Sequence, residues 1–159
     1  MTQCIPERPA KRPDSKSYDQ SPPGGVDLLA KHGLAIEGPH FNLLVSPIDF
    51  RSVQQASARD LFEEWVPKSN DDAWLSNSHY QSYLVLNLCR ILQTVIHGQA
   101  SSKKIAGEWV KSTYPQWKDL IEEAERWTYG DQMRRQSDSV AFLRFAVDRV
   151  NGTRILCRI

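Results

Sequence analysis

The chain has 159 residues, 25% of them charged and 40% hydrophobic, which is enough for one domain with its own core and too few for two. Its formal charge of +1 supplies no global field to draw nucleic acid or an anionic membrane, so any anion site has to be local. Three cysteines at wide spacing, Cys4, Cys89 and Cys157, fit neither a disulfide framework nor a zinc site, and no run reaches the ~18 apolar residues of a membrane span.

Residues 1–25 hold five of the nine prolines and almost no large apolar side chains, so they cannot offset the entropy of ordering and are expected to form a disordered tail. The tail lacks the apolar region of a secretory signal, which points to a cytoplasmic protein. Residues 26–50 read as a connecting segment: "VDLLAKHG" suits a short helix ending at Gly33, and "LAIEGP" a brief extended stretch closed by Gly38 and Pro39. Ser52 is placed to cap a helix reaching about Val66, with Val53, Ala56, Leu61, Phe62 and Trp65 inward and Pro67 at its end. "KSNDDAWLSNS" reads as a polar connection. A long central helix follows from Ser78 to His97, stopped by Gly98. Ser101 or Ser102 can cap the next, which shows Ile105, Ala106, Trp109 and Val110 on one side. Pro115 opens a further helix carrying Trp117, Leu120, Ile121 and Ala124, closed by Gly130. The last repeats Val140, Leu143, Val147 and Val150 before Asn151 and Gly152 end it. Residues 51–159 therefore form an all-α domain, a bundle of about five to six helices with short connections.

The central helix is apolar on most of its circumference, so Cys89 reads as a small core residue. At 100° per residue Tyr83, Asn87, Arg90 and Thr94 fall within an arc of about 60°, one polar stripe on an apolar rod. An arginine in such a helix needs an acid, water, carbonyls or an anionic ligand, because stranding its charge costs several kcal/mol, roughly. A glutamate partner or a guanidinium snorkelling to the rim would satisfy Arg90 without any function. Lys103 and Lys104 open the next helix, where the free N–H groups already carry positive charge, so they are unfavourable there unless solvated or facing an anion. Arg90 and Lys103 together have the makings of a phosphate clamp.

"YLVLNLCRILQTVIHG", "SSKKIAGEWV" and "YPQWKDLIEEAERWTYG", in that order and with those helix breaks, resemble the C-terminal helical domain of the aminoglycoside adenylyltransferases, the streptomycin and spectinomycin nucleotidyltransferases. "HGLAIEGPHF" is similar to the segment that joins that domain to the nucleotidyltransferase domain, which would make residues 26–50 a remnant of the inter-domain connection. The resemblance implies AMP transfer from ATP, with Mg²⁺, to a hydroxyl of a small-molecule acceptor across a cleft between two domains. It places Arg90, Lys103 and Tyr129 on the nucleotide and a substrate wall at Tyr80, Tyr83 and Asn87. It implies no nucleic-acid or membrane partner.

The family's Gly-Ser loop, its Asp-x-Asp pair and its glutamate base have no counterpart in these 159 residues. Where acids that hold a cationic drug are expected before the central helix, the chain reads "SNSHYQ". The expectation is thus a nucleotide- and substrate-binding half whose catalytic domain is missing or separate. Two other classes remain. Arg90 and His97 match the Arg-x₆-His form of a helical ribonuclease motif, with arginine on phosphate and histidine as acid or base. A non-catalytic binding module is the other. Trp109, Trp117 and Trp127 suit the core, Trp127 and Tyr129 could instead line an adenine or sugar pocket, and Glu122, Glu123 and Glu125 suit a charged outer face.

Overall fold

The computed structural model describes residues 49–153, together with 33, 37–39, 43, 44, 46, 155 and 156. The tail at 1–25, the short helix at "VDLLAKHG" and most of the extended stretch after it lie outside the described residues. Among the described residues there are six helices and no strand, as the three-to-four-residue period requires.

Helix α1, Phe50–Asp60, continues through a π turn at Leu61–Trp65 into Val66–Lys68. Its N-cap is Asp49, in extended conformation and without a side-chain bond, rather than Ser52, whose amide already bonds the Asp49 carbonyl at 2.9 Å inside the first turn. Of the expected inner face, Val53, Leu61 and Trp65 are buried and Ala56 and Phe62 only partly so, while Ala58 joins the core. The wide turn shifts the register of everything after Asp60, which a uniform 3.6-residue period does not anticipate. The polar connection after it contains a short helix, α2 (Asp72–Leu75), because the Asp71 carboxylate accepts the Trp74 amide at 2.9 Å and Leu75 plugs into the core.

Helix α3, Ser78–Leu92, runs on through a second π turn at Gln93–His97. Asn77 caps its start by accepting from the His79 and Tyr80 amides, and Gly98 ends it in the left-handed region at φ 75°. It is the central rod: Leu84, Val85, Leu88, Cys89, Ile91 and Leu92 are buried, and burial pushes the Cys89 thiol far up, as a small core residue should behave. The freed carbonyls of its π turn accept from Gln54 of α1, at 3.3 Å for Thr94 and 3.1 Å for Val95. This ties the two π-bearing helices together.

Helix α4 is Lys103–Thr113, capped by Ser102, whose hydroxyl accepts the Ile105 amide. Ala106 and Val110 are buried, but Ile105, expected inward, is 54% exposed at the rim. A 3-10 turn at Pro115–Trp117 leads into α5, Lys118–Arg126, which buries Leu120, Ile121 and Ala124. The helix ends at Arg126 and not at Gly130, since Asp131 folds the chain into a turn by accepting from the Thr128 amide and hydroxyl. Gly130 supplies the positive φ of 106° that this turn needs. Helix α6, Gln136–Gly152, packs Ser139, Phe142, Leu143, Ala146 and Val150 inward, while Val140 and Val147, expected inward, are only partly buried.

Helices α4 and α5 meet closely at Gly107, where a Cβ would stand 2.5 Å from the Glu125 Oε1 atom. Beside it the Lys111 ammonium donates to Glu108 and Glu125, each at 2.8 Å. Glu123 is engaged too, by Arg135 at 3.0 Å, so the acids of α5 are partners and not merely a solvated face. None of the helices among the described residues is long and apolar enough to cross a membrane.

Candidate functional site

A groove of about 440 Å³ lies between α1 and α3, within the size range of ligand sites. From α3 it is lined by Asn87, Arg90 and Thr94, so three of the four residues of the polar stripe share one concavity. From α1 come Ser57, Arg59, Asp60 and Glu63, and Ala100 closes one side. Arg90 is half-buried and, among the described residues, forms neither a hydrogen bond nor an ion pair, although two acids line the same groove. Asp60 is already engaged, accepting from the Trp65 indole N–H at 2.9 Å. Among the described residues no glutamate pairs with Arg90 to make it purely structural.

Lys103 stands beside it. Partial burial lowers its pKa and the Arg90 charge adds to that effect, which places the two cations within electrostatic reach of one another. Its ammonium lies over the Tyr83 ring, 4.3 Å from the centroid. Among the described residues neither cation is ion-paired with an acid. The Ser102 cap holds the start of α4 at the same place.

Beyond Lys103 the start of α3 carries an aromatic surface. His79 is its hub, with ring centroids 5.5 Å from Tyr80, 6.1 Å from Tyr83, 5.4 Å from Trp127 and 5.4 Å from Tyr129. Tyr80 stacks on Trp74 at 5.0 Å, and Tyr83 leans on Trp65 at 5.6 Å. Tyr129 is 85% exposed, a ring held out to solvent with one flank on His79.

Residues 46–151, nearly all of the described chain, match the aminoglycoside adenylyltransferase C-terminal domain family. The chain belongs to that family. Neither the curated proteins nor the solved structures give a significant match.

In this adenylyltransferase-type domain, Arg90 and Lys103 lie within electrostatic reach of one another, and Tyr83 touches both Lys103 and the aromatic surface. Tyr80 and Tyr129 belong to that surface, and Asn87 to the groove, where its amide donates to the Tyr83 carbonyl at 2.7 Å. His97 does not line the groove; its ring stacks on Trp109 at 5.3 Å. No group of three or more His, Cys, Asp or Glu residues suited to a metal ion stands together among the described residues, so they do not fit a magnesium site by themselves. Sequence reasoning missed the α1 half of the groove and the role of His79. The signal was present: Val53, Ala56, Ser57, Asp60 and Glu63 recur at three- and four-residue spacing, which extends an apolar stripe into a polar one.

Proposed function

We propose that this chain is the nucleotide- and acceptor-binding half of a nucleotidyltransferase that moves AMP from ATP to a hydroxyl of a small molecule. The observation that carries the reading is the unpaired Arg90 guanidinium beside Lys103 at the edge of a ligand-sized groove. A buried-edge arginine without an acid is tolerated because its partner is a phosphate, with planar N–H groups matched to phosphate oxygens and the lysine adding a point charge. Tyr129, projecting beside His79, would flank the nucleotide, and Tyr80, Tyr83 and Asn87 would form the wall for the acceptor. ATP would come with Mg²⁺, whose ligands, together with the base, would be carried by a nucleotidyltransferase domain outside these residues, on a longer chain or a separate polypeptide acting in the cytoplasm. The chain's own share is to hold the phosphates and orient the acceptor, since positioning and charge stabilisation carry most of phosphoryl-type transfer.

Calorimetric titration of the chain with ATP tests the reading. Saturable binding that Arg90→Ala and Lys103→Met each weaken at least about tenfold, the usual scale for losing a charge-assisted phosphate contact, supports it. Binding unchanged in both variants refutes it. The ribonuclease alternative gains nothing from the placement of His97 against Trp109.

A further inference from the structure

Lys103 opens α4 in a place that electrostatics disfavours. The free N–H groups of the helix start and the Arg90 charge both repel its ammonium, and among the described residues it is in no ion pair and donates no hydrogen bond. A strongly hydrated ammonium on a flexible stem leaves such a place for water unless something holds it. The Tyr83 ring does so: the ammonium lies over its electron-rich face, 4.3 Å from the centroid. That ring is fixed in turn. Trp65 leans on it at 5.6 Å and is itself pinned by the bond from its indole N–H to Asp60 at 2.9 Å, while His79 stacks on it at 6.1 Å with 26° between the planes. Tyr83 and Arg90 belong to the same stripe of α3, so a lysine seated on the one is kept near the other.

We infer that Tyr83 is a positioning residue, whose ring face holds the Lys103 ammonium within electrostatic reach of Arg90 and keeps it from turning away to water. The consequence for binding rests on the phosphate-holding role proposed above for these two cations. It gives Tyr83 a task separate from the acceptor wall: the residue acts on the phosphates through Lys103 and touches no phosphate itself. The hydroxyl is dispensable to that task, because a cation is drawn to the face of the ring.

The test takes two readings on the full chain. Carbon NMR of the lysine Cε atoms, with the Lys103 signal assigned by its loss in Lys103→Met, follows the titration of the ammonium. Partial burial and then the Arg90 charge hold the Lys103 pKa below 10.5, so in Tyr83→Leu, where the ammonium is released to water, the value should climb toward 10.5, and in Tyr83→Phe it should stay low. Calorimetric titration with ATP gives the second reading. Tyr83→Leu is expected to weaken ATP about three- to tenfold, and Tyr83→Phe, which restores the ring, to bind within about twofold of the wild type. In the Lys103→Met background Tyr83→Leu should add less than about twofold, which a purely structural role for the ring would not produce. Pentafluorophenylalanine at position 83 keeps the shape of the ring and reverses the charge of its face, so it should match Tyr83→Leu in both readings without opening the packing. A Lys103 pKa that stays low in both ring-altered variants overturns the inference, as does an equal loss of ATP affinity with and without Lys103. ATP affinity unchanged in Tyr83→Leu while Lys103→Met weakens it also overturns the inference and leaves the proposed function standing. No binding of ATP by the wild type overturns the proposed function, and the Lys103 titration then decides the positioning role by itself.

Discussion

Replacing Lys111 by Met keeps the aliphatic stem and deletes the charge that pins α4 to α5. The Lys111 side chain is only 11% exposed and its ammonium donates to Glu125 at 2.8 Å across the two helices. A charge-assisted bond of this kind, largely shielded on the lysine side, contributes about 2 kcal/mol. For a helical domain of about 100 residues this corresponds to a fall in Tm of about 8 °C. The sign with pH follows from the shifts. Burial acts to lower the Lys111 pKa, but its bonds to Glu108 and Glu125 outweigh it and the value is raised, so the contribution is full below the unfolded value of 10.5 and fades as pH climbs through the folded one. The Lys111 hydrogen bond and charge lower the Glu108 pKa, so that acid's share is present above 4.5 and is lost as pH falls through the folded value. Calorimetric melts of wild type and Lys111→Met should therefore differ most between those limits and converge outside them. A difference under ~2 °C at neutral pH, or one that widens above the unfolded lysine value, refutes the reasoning.

Lys103→Met should melt at or above the wild type at neutral pH, because partial burial and then the Arg90 charge depress the Lys103 pKa; the gain should vanish as pH rises toward 10.5, and a clear loss of Tm would contradict the absence of an acid partner. Asn77→Ala removes the cap that accepts the His79 and Tyr80 amides, and is expected to cost about 1 kcal/mol, about 4 °C in Tm, by thermal melting. The chain alone should transfer no AMP to streptomycin or spectinomycin, because the family's Gly-Ser loop and paired aspartates are not among its 159 residues; labelled product from ATP in a thin-layer assay would overturn that.

Where a signal was local, the sequence carried it. Gly98 needs a positive φ, Ser102 needs only to accept an amide three residues on, and Tyr83, Asn87, Arg90 and Thr94 lie on one stripe by helical geometry alone. The start and end of α1 were less legible, since Asp49 displaces Ser52 at the cap and the π turn at Leu61–Trp65 shifts the faces that follow. Ser69, Asn70, Asp71 and Asp72 make the stretch read as a polar connection, and the Asp71 cap with the burial of Leu75 is what makes α2 a helix. Arg90 and Lys103 stand out in the sequence because both go against their local setting. Arg59, Asp60 and Glu63 on an exposed helix face violate nothing locally, and their part in the groove depends on how α1 packs on α3, which no single stretch of sequence encodes.

Melts of the wild type and Arg90→Ala, each with and without ATP and Mg²⁺, bear most directly on the claim that Arg90 is held in readiness for phosphate. With no ion-pair partner among the described residues to orphan, Arg90→Ala should lie within ~2 °C of the wild type when ligand is absent. At ATP about ten times its Kd the wild type should gain about 1.4 kcal/mol, roughly 6 °C, and Arg90→Ala should gain nothing measurable. A loss of more than ~10 °C in Arg90→Ala without ligand, the mark of a buried acid left unpaired, together with a wild type that ATP does not shift, would contradict the account.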